Sequence, residues 1–169
     1  MRPASDQIWR WLAEVPDPEI PVISVTDLGI VRDVEWQGET LVVTVTPTYS
    51  GCPATTAINL DIEAMLRAKG IADLRIERRL APPWSTDWIS TEGRERLRAY
   101  GIAPPIDGTA PDGRTIARAT RLSGANLTVP CPRCGSASTE RISQFGSTPC
   151  KAAWRCKDCL EPFDYFKCH

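Results

Sequence analysis

The chain has 169 residues, 42% of them hydrophobic and 24% charged, with a formal net charge of -1. That length leaves room for one ordinary domain and a small one, with enough apolar content for a real core. Residues 1–66 carry three basic and ten acidic side chains (net -7), residues 67–121 eleven and seven (+4), and residues 122–169 six and four (+2). This balance argues against a nucleic-acid binder; the acidic end suits a protein partner, a cation or an ordinary solvated surface.

Taken in order, Ser5 is placed to cap a first helix whose apolar stripe is Ile8, Trp11, Leu12 and Val15. Pro16 stops it, and Asp17-Pro18-Glu19-Ile20-Pro21 follows as a rigid extended loop with two carboxylates held between prolines. Leu28–Trp36 and Leu41–Thr46 read as strands joined at Gln37-Gly38-Glu39. Pro53 opens a second helix with Ile58, Ile62, Met65 and Leu66 on one face and Gly70 at its end. Leu74–Arg78 alternates as a third strand. The fold class is α+β: a small α-β-β-α-β sandwich.

A proline- and tryptophan-rich stretch, Ala81–Trp88, is followed by a helix from Thr91 to Tyr100 that Gly101 ends. Trp84 and Trp88 either form a docking surface or cover the first domain's sheet. The segments Thr139–Phe145, Ala152–Arg155 and Phe163–Phe166 suit a three-stranded ribbon too small to be stable on core burial alone. The expected domains are therefore 1–105, a linker over 106–126, and a zinc-ribbon-like module over 127–169.

Metal is expected in that module because Cys131-Pro132-Arg133-Cys134 and Cys156-Lys157-Asp158-Cys159 are two Cys-x-x-Cys turns, about twenty residues apart. Four thiolates make a closed tetrahedral site for zinc or, in a rubredoxin-like alternative, iron. With every position taken by protein, such an ion holds a fold together and has no place for substrate. Cys150 and Cys168 belong to no such turn and are not expected as primary ligands, though each could replace one of the four or face a second site near His169. No apolar run reaches about 18 residues and the N-terminus carries no export signature. A cytoplasmic chain with reduced thiols and no membrane contact is expected, which disfavours disulfides.

Cys52 stands alone, just before Pro53 at the predicted helix start. Backbone N–H groups and the helix dipole there favour a thiolate, which can bind a soft metal or attack an electrophile; the alternative is a small residue filling a cap. The single histidine, His169, ends the chain, so a Cys–His dyad and a carboxylate–histidine iron site are both disfavoured. No glycine-rich phosphate loop or dinucleotide fingerprint is present.

At these residues the chain resembles known families. Asp17-Pro18-Glu19-Ile20-Pro21, Asp27-Leu28-Gly29-Ile30-Val31 and Thr46-Pro47-Thr48 leading to Gly51-Cys52-Pro53 resemble the iron–sulfur assembly domain of SufT-like proteins. Pro82–Ser90, Gly93-Arg94, Leu97-Arg98, Tyr100–Pro105, the four ribbon cysteines, Phe145–Thr148, Cys150-Lys151, Glu161-Pro162-Phe163 and Phe166–His169 are similar to the PaaD (PaaJ) family of the phenylacetyl-CoA epoxidase system. The resemblance implies an accessory, non-catalytic component that helps mature an iron or iron–sulfur centre in a reductase or oxygenase partner, handling iron or a cluster transiently through Cys52, Asp17 and Glu19. It leaves open a structural or electron-transfer subunit of the epoxidase itself, an interaction module without metal transfer, and a homodimer. Zn2+ is the expected structural ion.

Overall fold

The computed structural model describes residues 2–106 and 128–167. The chain divides into two compact units, 1–93 and 94–169. In the first, α1 (Ser5–Leu12), β1 (Val31–Gln37), β2 (Thr40–Val45), α2 (Ala54–Ala68) and β3 (Leu74–Arg78) follow the predicted α-β-β-α-β order. The sheet order is β1-β2-β3; β1 pairs antiparallel and β3 parallel with β2, so α2 is the crossover a parallel pair requires. Central β2 is buried from Leu41 to Val45, a stretch that is apolar except for the buried Thr44. α1 packs on α2 and β1, burying Ile8 and Leu12, and α2 turns Ile58, Ile62 and Leu66 inward at helical spacing.

Two local expectations are corrected. Ser5 is the first helical residue, not the cap: Ala4 holds the cap position and no side-chain bond caps α1. β1 starts at Val31 and not Leu28, because Gly29 adopts φ +68° and breaks the strand geometry. Gly70 (φ +91°) does end α2, one residue beyond Lys69.

The residues before β1 form a loop tied by its own backbone: Val25 N–H donates to Val15 O at 3.0 Å, and Asp17 N–H to Ile23 O at 2.8 Å. The proline- and tryptophan-rich stretch folds back onto this loop. Trp84 is 4% exposed and its Nε1–H donates to the Leu28 carbonyl at 2.8 Å. Ser90 N–H donates to Asp27 O at 2.8 Å and Ser90 Oγ to Asp27 Oδ1 at 2.8 Å, while Ser90 Oγ accepts from Gly93 N–H at 2.9 Å and so caps α3 (Thr91–Tyr100). A Cβ at Gly29 would stand 2.6 Å from Trp88 Cβ, so this close approach admits only glycine. The Arg32 guanidinium lies 3.6 Å from the Trp88 ring centroid.

The second unit holds a four-stranded sheet ordered β4-β7-β6-β5, formed by β4 (Ile102–Ala103), β5 (Thr139–Ser143), β6 (Lys151–Cys156) and β7 (Pro162–Phe166). The three later strands form the predicted ribbon and pair antiparallel; β4 adds a parallel fourth against β7. Ile102 and Ala103, expected from sequence at the end of a 1–105 domain, thus complete the ribbon sheet. Ala103, Val129, Cys131, Ala152, Trp154, Cys156, Phe163 and Tyr165 form its core, with Ile106 packed against it. Trp154 and Tyr165 meet edge-on, centroids 6.1 Å apart at 72°. The rest of the predicted linker, residues 107–126, lies outside the described residues.

Candidate metal centre and the Cys52 segment

The two Cys-x-x-Cys turns are built alike. Cys131 N–H donates to Ser136 O at 2.9 Å, and Cys156 N–H to Glu161 O at 3.0 Å, the same five-residue reach in each. The residue after each second cysteine takes a left-handed conformation: Gly135 at φ +76° and Leu160 at φ +64°. Glycine adopts this freely, whereas an L side chain is strained there. Ser136 Oγ donates to Asp158 Oδ2, and Lys157 N–H to Ser138 O at 2.8 Å, tying the first turn to the second.

This brings Cys131, Cys134, Cys156 and Cys159 together, every Sγ within 4.8 Å of the others. Cys131 and Cys159 sulfurs are 3.7 Å apart, and those of Cys134 and Cys156 3.6 Å. A tetrahedral ion with bonds of about 2.3 Å needs sulfur–sulfur edges of about 3.8 Å. The four thiols therefore fit a tetrahedral thiolate ion, and the set is complete without a solvent position. Their titration fits the same purpose. Without an ion the Cys156 thiol is pulled down to about 7, foremost by the Cys159 backbone N–H and then by that of Asp158 and by the neighbouring thiols. The Glu161 backbone N–H favours the Cys159 thiolate, but desolvation and the thiols of Cys156, Cys134 and Cys131 together push it up to about 12. Cys134 is also raised, against the pull of the Ser136 backbone N–H. Four thiols this close do not all ionise alone; a cation is what lets them.

Cys150 lies outside this group of four: it is buried, with Sγ 3.0 Å from Thr148 Oγ1. Cys168 and His169 lie outside the described residues.

Cys52 is half-buried, one residue outside the position predicted for it. Pro53 takes the cap position of α2 with helical φ and ψ, and no side chain caps the helix. Cys52 O accepts from Thr55 N–H at 3.2 Å, and Cys52 N–H donates to Tyr49 O at 3.1 Å, so the thiol sits on a turn leading into α2. Asp17 is 6% exposed, and its Oδ1 accepts from the backbone N–H groups of Glu19 (2.9 Å) and Ile20 (2.8 Å), which fixes the acidic loop; Glu19 is half-buried. Cys52, Asp17 and Glu19 do not gather into a group of three metal donors among the described residues. Two polar atoms in this unit are invisible to sequence reasoning: Thr46 Oγ1, on a residue 2% exposed, and Asn59 Oδ1 are buried without a hydrogen-bond partner. Such atoms are rare because each costs about 1–3 kcal/mol. Thr46 directly follows β2 on the way to Cys52, and Asn59 lies on the helix that Cys52 precedes; an orphaned hydroxyl has no signature in sequence beyond that placement.

The profile of the PaaD zinc beta ribbon domain matches residues 115–167, and that of the iron-sulfur cluster assembly protein family matches residues 5–75. The chain is 47% identical over 98% of its length to a putative 1,2-phenylacetyl-CoA epoxidase subunit of Escherichia coli (strain K12), covering 94% of that relative. Over 54% of the chain it is 37% identical to an Fe-S protein maturation auxiliary factor of Porphyromonas gingivalis, covering 89% of it. The crystal structure of a domain of unknown function from Bacillus anthracis superposes with a TM-score of 0.50 at 27% identity, covering 54% of this chain and 89% of that one. No described helix is long and apolar enough to cross a membrane. Identity along almost the whole chain, an assembly-type domain in front and a four-cysteine ribbon behind lead to one conclusion: this chain belongs to the PaaD family.

Proposed function

We propose that the chain is an accessory, non-catalytic component of the phenylacetyl-CoA ring-epoxidising system of aerobic phenylacetate catabolism, and that it helps mature an iron or iron–sulfur centre of a partner protein. The observation that carries this reading is the 47% identity over 98% of the chain to the putative epoxidase subunit of Escherichia coli. The match of residues 5–75 to an iron–sulfur cluster assembly family supports the maturation role. In this reading the ribbon cysteines hold Zn2+, which keeps the module folded and takes no part in transfer. Cys52 is the residue that handles iron or a cluster, with the carboxylates of the Asp17–Glu19 loop as its helpers. One thiolate and a carboxylate or two make an incomplete set of ligands, suited to passing an ion on and unsuited to storing it. The set is completed by the client, the reductase or oxygenase component, or by a second copy of the chain. The cytoplasm is where such clients work.

The test is a strain whose only copy carries Cys52→Ala. Growth on phenylacetate should fail and the partner's iron content should fall, while the variant itself accumulates folded and zinc-loaded. Normal growth with a fully metallated epoxidase would show that Cys52 only shapes the turn before α2.

A further inference from the structure

The ribbon unit carries a shallow, open cleft that the thiolate cluster does not use. Its volume is about 380 Å³, and it is lined by Glu95, Arg98 and Ala99 of α3 and by Pro132 and Arg133 of the first cysteine turn. Other arginines of this unit are engaged within it: Arg94 Nη1 donates to the Pro105 carbonyl at 2.8 Å, and Arg155 pairs with Glu140. Arg98 and Arg133 make no ion pair and no side-chain hydrogen bond among the described residues. Two guanidiniums thus face one opening with their forks unanswered.

Arg133 is exposed and lies against the end of α3. α3 ends at Tyr100 and Gly101 follows at φ +96°. A Cβ at Gly101 would stand 2.8 Å from Arg133 Nη2 and 3.2 Å from its Cζ, so the guanidinium rests against the bare backbone there. The turn that carries it is closed by Gly135 N–H donating to Cys131 O at 2.9 Å. A guanidinium presents its donors in a plane, the geometry that grips a carboxylate through two parallel bonds.

We propose that this cleft is a docking point for an acidic segment of a partner protein. A carboxylate of the partner sits between Arg98 and Arg133, and Glu95, one turn before Arg98 on α3, accepts from an N–H beside that carboxylate. The acid on the wall is what favours a peptide over a phosphate polymer: a chain of phosphates would meet Glu95 with like charge and supply it no donor. This inference is independent of any role for Cys52.

The experiment titrates the full zinc-loaded chain with a fluorescein-labelled hexaglutamate peptide. It follows anisotropy together with the NMR signals of the arginine Nε–H groups. Saturable binding is expected, with the Arg98 and Arg133 signals moving. Arg98→Gln and Arg133→Gln should each weaken binding about tenfold, with zinc content and circular dichroism unchanged, because neither substitution removes a thiolate. Arg141→Gln, an exposed charge on β5, should have no effect. Four results would overturn the proposal: no saturation, unchanged affinity in the double variant, an equal loss in Arg141→Gln, or tighter binding of inorganic polyphosphate than of the peptide.

Discussion

The first unit closes around a core that runs from Ile8 and Leu12 of α1 through buried β2 to Ile58, Ile62 and Leu66 of α2, whereas the ribbon gathers one small apolar cluster and sets four sulfurs beside it. A large core spreads stability over many side chains, so no single one decides the fold. A small module concentrates it in one ion. The difference teaches where each half is fragile: the first unit at a few close-packed glycines and tryptophans, the second at its thiolates.

Breaking the metal site should separate the halves most sharply. Cys131→Ser, or chelation, should release about one zinc per chain. It should also open residues 128–167 to protease while the first unit stays folded, since structural zinc in such modules contributes on the order of 10 kcal/mol. Zinc analysis with limited proteolysis reads both; full metal retention would count against the assignment. The matching blow to the first unit is Trp84→Ala, which removes a side chain 4% exposed and leaves the Leu28 carbonyl without its donor. A loss of about 3–5 kcal/mol in thermal or denaturant unfolding is expected, with zinc content unchanged. Unchanged melting with lost partner binding would make Trp84 a docking residue after all.

A finer distinction concerns protons. Without an ion, backbone N–H groups pull the Cys156 thiol down to about 7, while desolvation and the neighbouring thiols push Cys159 up to about 12. Zinc needs its ligands as thiolates, so loading should release about one proton fewer near pH 8 than well below pH 7, because near pH 8 Cys156 has already lost its own. Apparent zinc affinity should accordingly fall more steeply as pH drops below 7. Calorimetry in buffers of different ionisation enthalpy measures the count; a release independent of pH would show that Cys156 is not the first to ionise. The smallest effect is expected at Leu160, 70% exposed and held at φ +64° where the equivalent turn has Gly135. Leu160→Gly should stabilise the ribbon by up to about 1 kcal/mol, by relieving a left-handed residue without loss of packing. A less stable ribbon would mean that Leu160 packs against something in solution.

Much of the molecule is legible in its sequence because the signals are local. α3 and β3 have the bounds their capping glycine and alternation predict, and the two Cys-x-x-Cys turns converge because their spacing leaves few alternatives. What escapes depends on contacts distant in sequence. A strand of two residues, Ile102–Ala103, has no periodicity to read; only its pairing with Asp164 and Tyr165 reveals it. Leu28 looks like the start of a strand until the fold-back of Trp88 onto Gly29 makes that glycine a turn. Asp17 suggests a metal donor by its residue type, yet the acceptor it offers is aimed first at its own loop, a use that its place two residues before Glu19 permits. The Cys52 site stays a proposal for a related reason: a lone thiol carries no second ligand at a fixed spacing.

Because β4 lies along β7, the ribbon cannot be excised at residue 127 without uncovering an edge. A fragment starting there would expose the backbone N–H and C=O groups of Asp164 and Tyr165 that Ile102 and Ala103 face, an invitation to sheet-to-sheet association between copies. The portable cassette begins near Arg94 instead, with most of α3 and β4 travelling together. A gene fusion that grafted this module onto another protein would have to carry that lead-in, or replace it with another strand.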